Sequence, residues 1–470
     1  MSVTTTGEPR RASTVSGLWH RELDQYPNTL PRTAYLGITV VATVMVYYEL
    51  YVVGSVSNLV LEDLHIGFSL FVTSVAFGNL VGAFGSLFAG LTDRLGRTNV
   101  VVVGLIVNAI LTGAVIPNMH SKLGFLFFLG LVALVEGVLL VATSALIRDL
   151  SPQTGRGRAM GFWTSGPVVG ALIVSVVASH TLAAHPEPSA WRHQYYICGI
   201  VGIVVAIVAL LSMKELSPGL RAQLMVSKRD RALIEARARG IDVDAALRHP
   251  AGQMVKPDVV VPAVGISVFL AAYYTAIGFA VIYFTTVFDF SERQANGLGN
   301  WNWGFQAIAV ILFGFISDGF RVRKPFILIG AVCSAIMLVI FLEQFGKPTG
   351  YYHLAVLLAA LGFVTGVTYV PWMTSLTETV EHHNPALTAT GLAIWGWILR
   401  MVVFVLFLII PHVVNTVNPL VTYGPQAQKY VEQYPAFNVP APVLTRLQSN
   451  PSPANPAFAE ACRILGPKCV

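Results

Sequence analysis

Three ionisable residues interrupt long apolar stretches of the chain. Glu49 lies in VYYELYVV, Glu136 in LVEGVLL and Arg400 in WILRMVV. A buried glutamate can carry a proton, and a buried arginine can bind an anion or keep a glutamate in its charged form. If the stretches cross a membrane, each of these residues costs at least about 2.5 kcal/mol at the bilayer centre. Such residues usually face a protein interior or a wet cavity and carry function.

The composition indicates that these stretches lie in a membrane. Of the 470 residues, 54% are hydrophobic and 11% are charged, and the mean hydropathy is +0.65. Soluble globular proteins carry about 25% charged residues. The chain is therefore a membrane protein.

Eleven apolar stretches are long enough to cross a hydrocarbon core of about 30 Å, which takes roughly 20 helical residues. All are predicted to be helices, because a lipid-facing backbone must satisfy its own hydrogen bonds and the stretches are too long for barrel strands. They lie at 34–58, 69–91, 99–117, 124–147, 159–182, 194–213, 259–285, 297–317, 325–342, 352–377 and 388–413.

Lysine and arginine predict which way the chain crosses the membrane. With the amino terminus in the cytoplasm, 21 of the 30 basic residues fall in cytoplasmic segments, as the positive-inside rule requires. The first apolar stretch is longer than the core of a secretory signal, so no cleavable signal is expected. We expect a multi-pass protein of the plasma membrane with a cytoplasmic amino terminus. A basic inner face beside anionic lipid explains the net positive charge, and no nucleic-acid partner is inferred.

The chain repeats a short pattern at the ends of two apolar stretches. FAGLTDRLGRTNV at 88–100 and FGFISDGFRVRKPF at 313–326 each place an aspartate after small residues and basic residues before a new stretch. Internal repeats of this kind mark secondary transporters. The predicted organisation is a tail at 1–33, a helix bundle at 34–213, a cytoplasmic linker at 214–257, a second helix bundle at 258–413 and a proline-rich outer segment at 414–470.

These loops resemble the signature of the major facilitator superfamily. The segment from Gly90 to Arg97 is similar to the loop that the family carries between its second and third helices. The segment from Gly314 to Asp318 is similar to the degenerate copy between helices eight and nine. The likeness extends through residue 413. It implies an all-α membrane protein of two six-helix bundles with pseudo-twofold symmetry.

The resemblance assigns a conformational role to the two loops. In the family such a loop holds the halves together on the inner side when the carrier opens outward, and it breaks when the carrier opens inward. A carboxylate meeting a helix end is worth about 0.3 to 2 kcal/mol, enough to bias a two-state equilibrium. The alternative for the arginines is an ordinary topology signal. The residues of this predicted latch are Asp93, Arg94, Gly96, Arg97, Asp318 and Arg323.

The fifth stretch adds a weaker likeness. Gly166, Pro167 and Gly170 are similar to the antiporter signature of helix five, but Phe162 and Ala171 replace two of its glycines. This departure weakens the case for drug antiport.

By the same resemblance, helices one, four, seven and ten line a central cavity, with helix eleven beside them. At about 1.5 Å per residue, the three ionisable residues lie roughly 16 to 22 Å from the predicted cytoplasmic ends of their helices, in one layer near the midplane. Glu49 and Glu136 are then candidates for carrying a coupled proton, and Arg400 for binding a carboxylate. The alternative is a static pair of glutamate and arginine needed for assembly alone.

Aromatic and amide side chains crowd the same level of the predicted cavity. Ligand sites are mostly apolar and aromatic with a few placed polar groups, so a modest organic molecule fits better than an inorganic ion. The alternative for any one of these aromatic residues is packing. The candidates for substrate binding beside Arg400 are Tyr48, Tyr51, Tyr274, Asn300, Trp301, Gln306, Tyr369 and Trp372.

The sequence lacks a phosphate-binding loop and a dinucleotide fingerprint, so ion gradients are the expected energy source. We predict no enzymatic activity, cofactor or metal. The prediction is a secondary active transporter that moves a small organic solute, preferably an organic anion, with protons. The alternatives are a proton-coupled exporter of drugs or metabolites, and a channel or non-transporting receptor. The expected partners are the solute, protons and lipid, with a monomer as default.

The segment after residue 413 differs from the rest. Ten of the 26 prolines lie between 411 and 470, so no further span is predicted there. Because the twofold repeat requires twelve spans, we expect the sequence to stop before the last helix, with 414–470 as an outer loop. A true eleven-span protein is the alternative. Cys462 and Cys469 are candidates for a disulfide outside the cell.

Overall fold

The structure is a computed structural model that describes residues 21–85, 95–151, 161–184, 186–221, 255–320, 322–345, 347–383 and 388–413. For 381, 383 and 388–393 it describes the backbone alone. Most of the predicted linker, the segment from 414 onward and both candidate disulfide cysteines, Cys462 and Cys469, lie outside these residues.

The described residues contain eleven helices long and apolar enough to cross a membrane, which confirms the predicted all-α membrane fold. We number them as spans 1 to 11. They are Thr29–Ser55, Phe68–Gly85, Arg97–Asn118, Lys122–Leu150, Gly161–Thr181, Pro188–Ser212, Pro257–Phe288, Glu292–Phe320, Lys324–Leu342, Tyr351–His383 and Thr388–Val413.

Several spans end early or are interrupted. Span 1 ends three residues before the predicted boundary, because Val56 leaves the helical conformation with φ −127° and ψ 17°. A short helix, Ser57–Asp63, follows it. Span 3 passes into a π-helical turn at Leu111–Val115, and span 7 breaks at Leu270. An apolar stretch does not reveal such interruptions, because the residues on both sides remain hydrophobic.

Spans 1 to 6 form one half of the molecule and spans 7 to 11 the other. Between the halves, span 2 packs on span 11, span 5 on span 8, and span 1 on span 7. We call the end that carries Arg97, Glu215 and Arg323 the linker face. The opposite end, with Ser57–Asp63 and Glu292, is the far face.

A two-stranded parallel sheet lies at the linker face. β1 (Glu22–Leu23) pairs with β2 (Glu215–Leu216), so the segment before span 1 is bonded to the segment after span 6. The Tyr26 hydroxyl also donates to the Leu150 carbonyl at the end of span 4, at 3.0 Å. Both segments therefore belong to the first half.

The helices of the first half pack closely, whereas those of the second half enclose a cavity. In the first half, span 6 packs on spans 1 and 3. In the second half, a cavity of about 720 Å³ lies between spans 7, 8, 9 and 10 and reaches Tyr51 and Gly54 of span 1. The described residues that line it include no charged side chain. This cavity therefore offers no charged group to a solute.

Span 4 needs glycine at one position to approach span 2. A Cβ added at Gly137 would lie 2.1 Å from the Gly82 carbonyl oxygen. We expect Gly137→Ala to cost about 1 to 3 kcal/mol through overpacking, measured as a lower unfolding temperature of the detergent-purified protein. The matched control is Gly130→Ala on the same span, where an added Cβ meets nothing within 4 Å. Equal unfolding temperatures for the two variants would contradict this prediction.

Candidate functional site

A cavity of about 530 Å³ lies between the two halves, lined by spans 1, 2, 4, 5, 7, 10 and 11. Its charged lining residues are Glu136, Arg148 and Arg400. Glu136 and Arg148 stand 12 residues apart on span 4, so the cavity extends about 18 Å along this helix toward the linker face. We call it the central cavity.

Glu136 and Arg400 meet in this cavity across the two halves. The Arg400 Nη2 atom lies 3.5 Å from both carboxylate oxygens of Glu136. The arginine side chain is 19% exposed and the glutamate side chain 5%. Each charge is therefore largely removed from water and stabilised by the other, which is the arrangement that a buried ion pair requires.

Glycine on span 2 makes room for this pair. A Cβ at Gly82 would lie 2.5 Å from Arg400 Nη1 and 2.9 Å from the Ala133 carbonyl oxygen. The small residue thus lets the guanidinium of span 11 pass span 2 and reach span 4.

Aromatic side chains form much of the remaining wall. Among the predicted substrate residues, Tyr51, Tyr274 and Tyr369 line the central cavity. The wall also contains Tyr47, one of the aromatic residues that the sequence places at this level of span 1, and Trp395, which sequence reasoning did not name. Tyr47 is four residues before Tyr51 and so shares its helix face, a spacing that could have identified it. The Trp395 indole N–H is buried and has no hydrogen-bond partner among the described residues.

The structure does not place Glu49 in the central cavity. Its side chain is 1% exposed and points into the first half, where a Cβ added at Gly202 of span 6 would lie 2.7 Å from the Glu49 Oε1 atom. Tyr48 is likewise buried at 2% exposure and lies outside the lining. Both residues face away from the central cavity.

Four other candidates also lie outside the central cavity. Asn300 donates to the Ser179 hydroxyl of span 5 at 2.9 Å, and Trp301 stacks on Phe305 with ring centroids 6.3 Å apart. Gln306 lines the larger apolar cavity. Trp372 does not line the central cavity and packs on Trp395, with ring centroids 5.6 Å apart. Asn300 and Trp372 thus contact neighbouring helices, whereas Trp301 stacks within its own helix and is 39% exposed. Helix periodicity alone did not determine these orientations.

Hydrogen bonds between the halves close the far face. The Asn58 amide donates to the Thr285 hydroxyl at 2.6 Å and to the Glu292 carboxylate at 2.9 Å. The Asn296 amide donates to the Ser55 carbonyl at 2.9 Å. We call these five residues the far-face gate.

Spans 5 and 8 add a second set of contacts at this end. The Arg293 guanidinium donates to the carbonyls of Ser179 at 3.1 Å and His180 at 3.3 Å. These bonds also join the two halves. The far face is therefore closed, whereas the central cavity extends toward the opposite, linker face.

The described residues of the predicted latch form ion pairs inside each half. Arg97, the first residue of span 3, pairs with Asp149 at the end of span 4. Arg323, just before span 9, pairs with Asp318 at 2.7 Å and with Glu378 of span 10 at 3.1 Å. The two arginines occupy equivalent places in the repeat. Sequence reasoning missed Asp149 and Glu378, which lie far from the loops in the chain.

Other parts of the predicted motifs have different outcomes. Asp93 and Arg94 lie outside the described residues, so their contacts stay a prediction. Gly96 has φ +86°, a conformation that favours glycine. In span 5, a Cβ at Gly170 would lie 2.7 Å from the Tyr47 Cβ atom. Gly166 lies against span 1 in the same way, and Pro167 lines the central cavity.

Glu215 is a buried acid at the linker face, outside the spans. Burial raises the pKa of Glu215, while the Arg97 backbone N–H, which donates to it at 2.9 Å, and the Arg221 charge act in the opposite direction. The folded protein therefore holds this proton more tightly than the unfolded chain does. The resulting stabilisation is complete below the unfolded-state pKa and is lost as pH rises through the raised folded-state value.

We therefore expect Glu215→Gln to remove this decline, so that the variant loses less stability than the wild type as pH rises from the acid range. Unfolding temperatures of the purified protein across that range would measure it. The exposed acid Glu343, replaced by glutamine, serves as control and should keep the wild-type slope. A Glu215→Gln profile parallel to that of the wild type would contradict the prediction.

The sequence is similar to a known protein family and to curated membrane proteins. A family model described as Major Facilitator Superfamily matches residues 39–407. Efflux pump radE of Floropilus chiversii is 26% identical over 326 residues, which are 67% of this chain and 55% of that protein. Multidrug resistance protein MdtL of Klebsiella pneumoniae is 22% identical over 169 residues, which are 36% of this chain and 40% of that protein. The chain thus spans about half the length of the curated relatives it matches.

Two solved structures share the fold. An inward-facing, unoccupied bacterial homologue of the human lysosomal transporter Spinster aligns with a TM-score of 0.63 at 17% identity, covering 93% of this chain and 94% of that one. The inward open xylose transporter XylE from E. coli aligns with a TM-score of 0.59 at 15% identity, covering 81% of this chain and 89% of that one. At these identities the likeness concerns the fold alone.

Proposed function

Because the chain belongs to the major facilitator superfamily, we propose that it is a secondary active transporter that moves a small organic anion together with a proton by alternating access. The observation that supports this proposal is the Arg400 guanidinium, held 3.5 Å from the Glu136 carboxylate inside the central cavity. The pair offers one site for a proton and one for an anion.

The charges of the pair provide the coupling. With Glu136 ionised, the two side chains have no net charge, and Arg400 is occupied by its partner. A proton on Glu136 releases the guanidinium, which then binds a carboxylate, and the net charge is again zero. A proton alone or an anion alone leaves one uncompensated buried charge, which is strongly unfavourable. The empty and doubly loaded forms are therefore the ones that can reorient.

The cavity wall supports a modest organic solute. Its volume of about 530 Å³ falls in the usual range for ligand pockets, which are largely apolar with a few placed polar groups. Tyr47, Tyr51 and Tyr274 offer aromatic faces, and the Trp395 N–H is a free buried donor among the described residues. A carboxylate on Arg400 with an apolar body against the rings uses all of these features.

The excess of basic residues supports a cytoplasmic linker face, and we propose that the protein lies in the plasma membrane. The present arrangement, with the far-face gate closed, is then the inward-open state. The other state requires that the gate bonds break and that the linker face closes. Because a proton and an anion together carry no net charge, the pH difference across the membrane drives accumulation, and one pH unit supplies about 1.4 kcal/mol, enough for about ten-fold accumulation.

A liposome experiment tests the proposal. Purified full-length protein is reconstituted with a pH indicator inside, and monocarboxylates, aromatic acids, sugars and cationic drugs are added outside in turn. We expect internal acidification faster than in protein-free liposomes with one class of carboxylate, and no excess over those liposomes with Arg400→Gln. The exposed-site variant Glu343→Gln should behave as the wild type. Carboxylate flux without proton movement would overturn the coupling, and solute-independent ion flux would indicate a channel.

A second candidate is proton-coupled export of drugs or metabolites. It is favoured by the names of the relatives, an efflux pump and a multidrug resistance protein, and by the aromatic lining of the cavity. In the same assay it predicts internal pH changes with cationic or apolar compounds and none with simple carboxylates.

A further inference from the structure

A second polar site lies inside the first half, outside the central cavity. Glu49 of span 1 is 1% exposed and Asn108 of span 3 is fully buried. Both carboxylate oxygens of Glu49 and both polar atoms of the Asn108 amide lack a hydrogen bond of standard geometry. The amide nevertheless faces the carboxyl closely enough to interact with it. Four polar atoms are therefore collected in one buried place.

The walls around this site are apolar and tight. A Cβ added at Gly202 of span 6 would lie 2.7 Å from the Glu49 Oε1 atom, 2.9 Å from the Ala109 Cβ atom and 3.4 Å from the Met45 Cε atom. In the described part of the chain, no basic side chain pairs with Glu49, whereas Arg400 pairs with Glu136. An ionised Glu49 would thus be a buried charge without a counter-charge, which is strongly unfavourable.

A protonated Glu49 resolves this conflict. A carboxylic acid presents one O–H donor and one carbonyl acceptor, and an asparagine amide presents the matching acceptor and donors. The two groups are therefore complementary in their donors and acceptors. A metal cation fits poorly, because several oxygen ligands would be needed and the neighbours are a glycine, a methyl group and a thioether.

The other titratable groups nearby are neutral partners. Cys198 of span 6 is close enough to Glu49 to interact electrostatically with it. Tyr48 and Tyr195 lie beside that thiol. No group among these supplies a positive charge.

We propose that Glu49 and Asn108 form a second proton-binding site, separate from the Glu136–Arg400 pair, that holds one proton while span 1 is in the position seen here. The proton is taken from water and returned to it, with no further reactant. Span 1 also carries Tyr47 and Tyr51 to the central cavity and packs Gly54 against Ile277 of span 7. Movement of span 1 therefore changes the distance between Glu49 and its amide partner, which links proton occupancy to conformation.

Infrared spectroscopy of the purified full-length protein tests proton binding directly. At neutral pH we expect a C=O stretching band of a protonated carboxylic acid, sensitive to deuterium exchange. The band should disappear in Glu49→Gln, persist in Glu136→Gln and shift in Asn108→Leu. If Glu49→Gln does not fold, the frequency shift in Asn108→Leu still tests whether the protonated acid is Glu49. A band of equal size in the wild type and Glu49→Gln, or an unchanged frequency in Asn108→Leu, overturns the site.

The link to conformation rests on the alternating access proposed above and has its own test. A thiol introduced by Ser144→Cys, in the part of the central cavity toward the linker face, reports how often this face is open. Dividing its labelling rate by that of the unfolded protein at the same pH removes the effect of thiolate formation. We expect this ratio to fall severalfold as pH rises, and to become nearly independent of pH when Glu49→Gln is added. Equal pH profiles with and without Glu49→Gln overturn the link. The infrared result stands independently of any transport measurement.

Discussion

Replacement of Arg400 by glutamine is expected to abolish coupled transport and to destabilise the protein by about 3 to 5 kcal/mol. The physical reason is that the change leaves the Glu136 carboxylate as an uncompensated buried charge. Arg400→Lys keeps the charge but loses the planar guanidinium. We expect this variant to keep most of the wild-type stability but only a small fraction of the wild-type transport rate. Unfolding temperatures and liposome uptake measured on the same preparations give the two quantities.

The double variant Glu136→Gln with Arg400→Gln separates a working pair from a static one. It removes both charges, so most of the lost stability should return. Transport should remain absent, because neither a proton nor an anion has a site. If the double variant regained wild-type uptake as well as stability, the pair would serve assembly alone and the proposed coupling would be wrong.

Gly54→Ala is expected to disturb alternating access by opposing closure of the far face. A Cβ at Gly54 would lie 2.0 Å from the carbonyl oxygen of Ile277 in the other half. Overpacking of about 1 to 3 kcal/mol against this state would shift the equilibrium between states by about 5- to 150-fold. Thiol labelling at the far face should rise, and uptake should fall by a similar factor.

The matched control for this change is Gly37→Ala. Gly37 lies in the same helix, and an added Cβ there meets nothing within 4 Å. It should leave both labelling and uptake near wild-type values. A Gly54→Ala variant with unchanged labelling would mean that contact between spans 1 and 7 does not control closure of the far face.

The membrane-spanning helices are predictable from the sequence because length and apolarity determine them directly. Glu136 and Arg400 are predictable as well, since charges in apolar helices are rare enough to stand out. Depth along the helix follows from the rise per residue, which assigns both residues to a common layer. Their direct contact depends on Gly82 of span 2, a residue whose role only three-dimensional packing reveals.

Rotation about the helix axis could not be predicted in the same way. Span 1 is apolar on nearly every side, and a helix of this kind carries no periodic signal for the face that turns inward. Tyr47 and Tyr51 face the central cavity, whereas Glu49, about 200° around the helix from Tyr47, faces span 6. The same uncertainty in rotation misplaced Tyr48. The packing of neighbouring helices, and not the residue types, decides the outcome.

The pairing of β1 with β2 has a consequence for how motion can be observed. Because Glu22–Leu23 and Glu215–Leu216 are bonded to each other within the first half, a fluorophore attached near residue 21 should travel with that half as one rigid body. A second fluorophore on span 9 or span 10 would then report the angle between the halves through energy transfer. Any turning of one half against the other has to be accommodated further along the chain than Leu216.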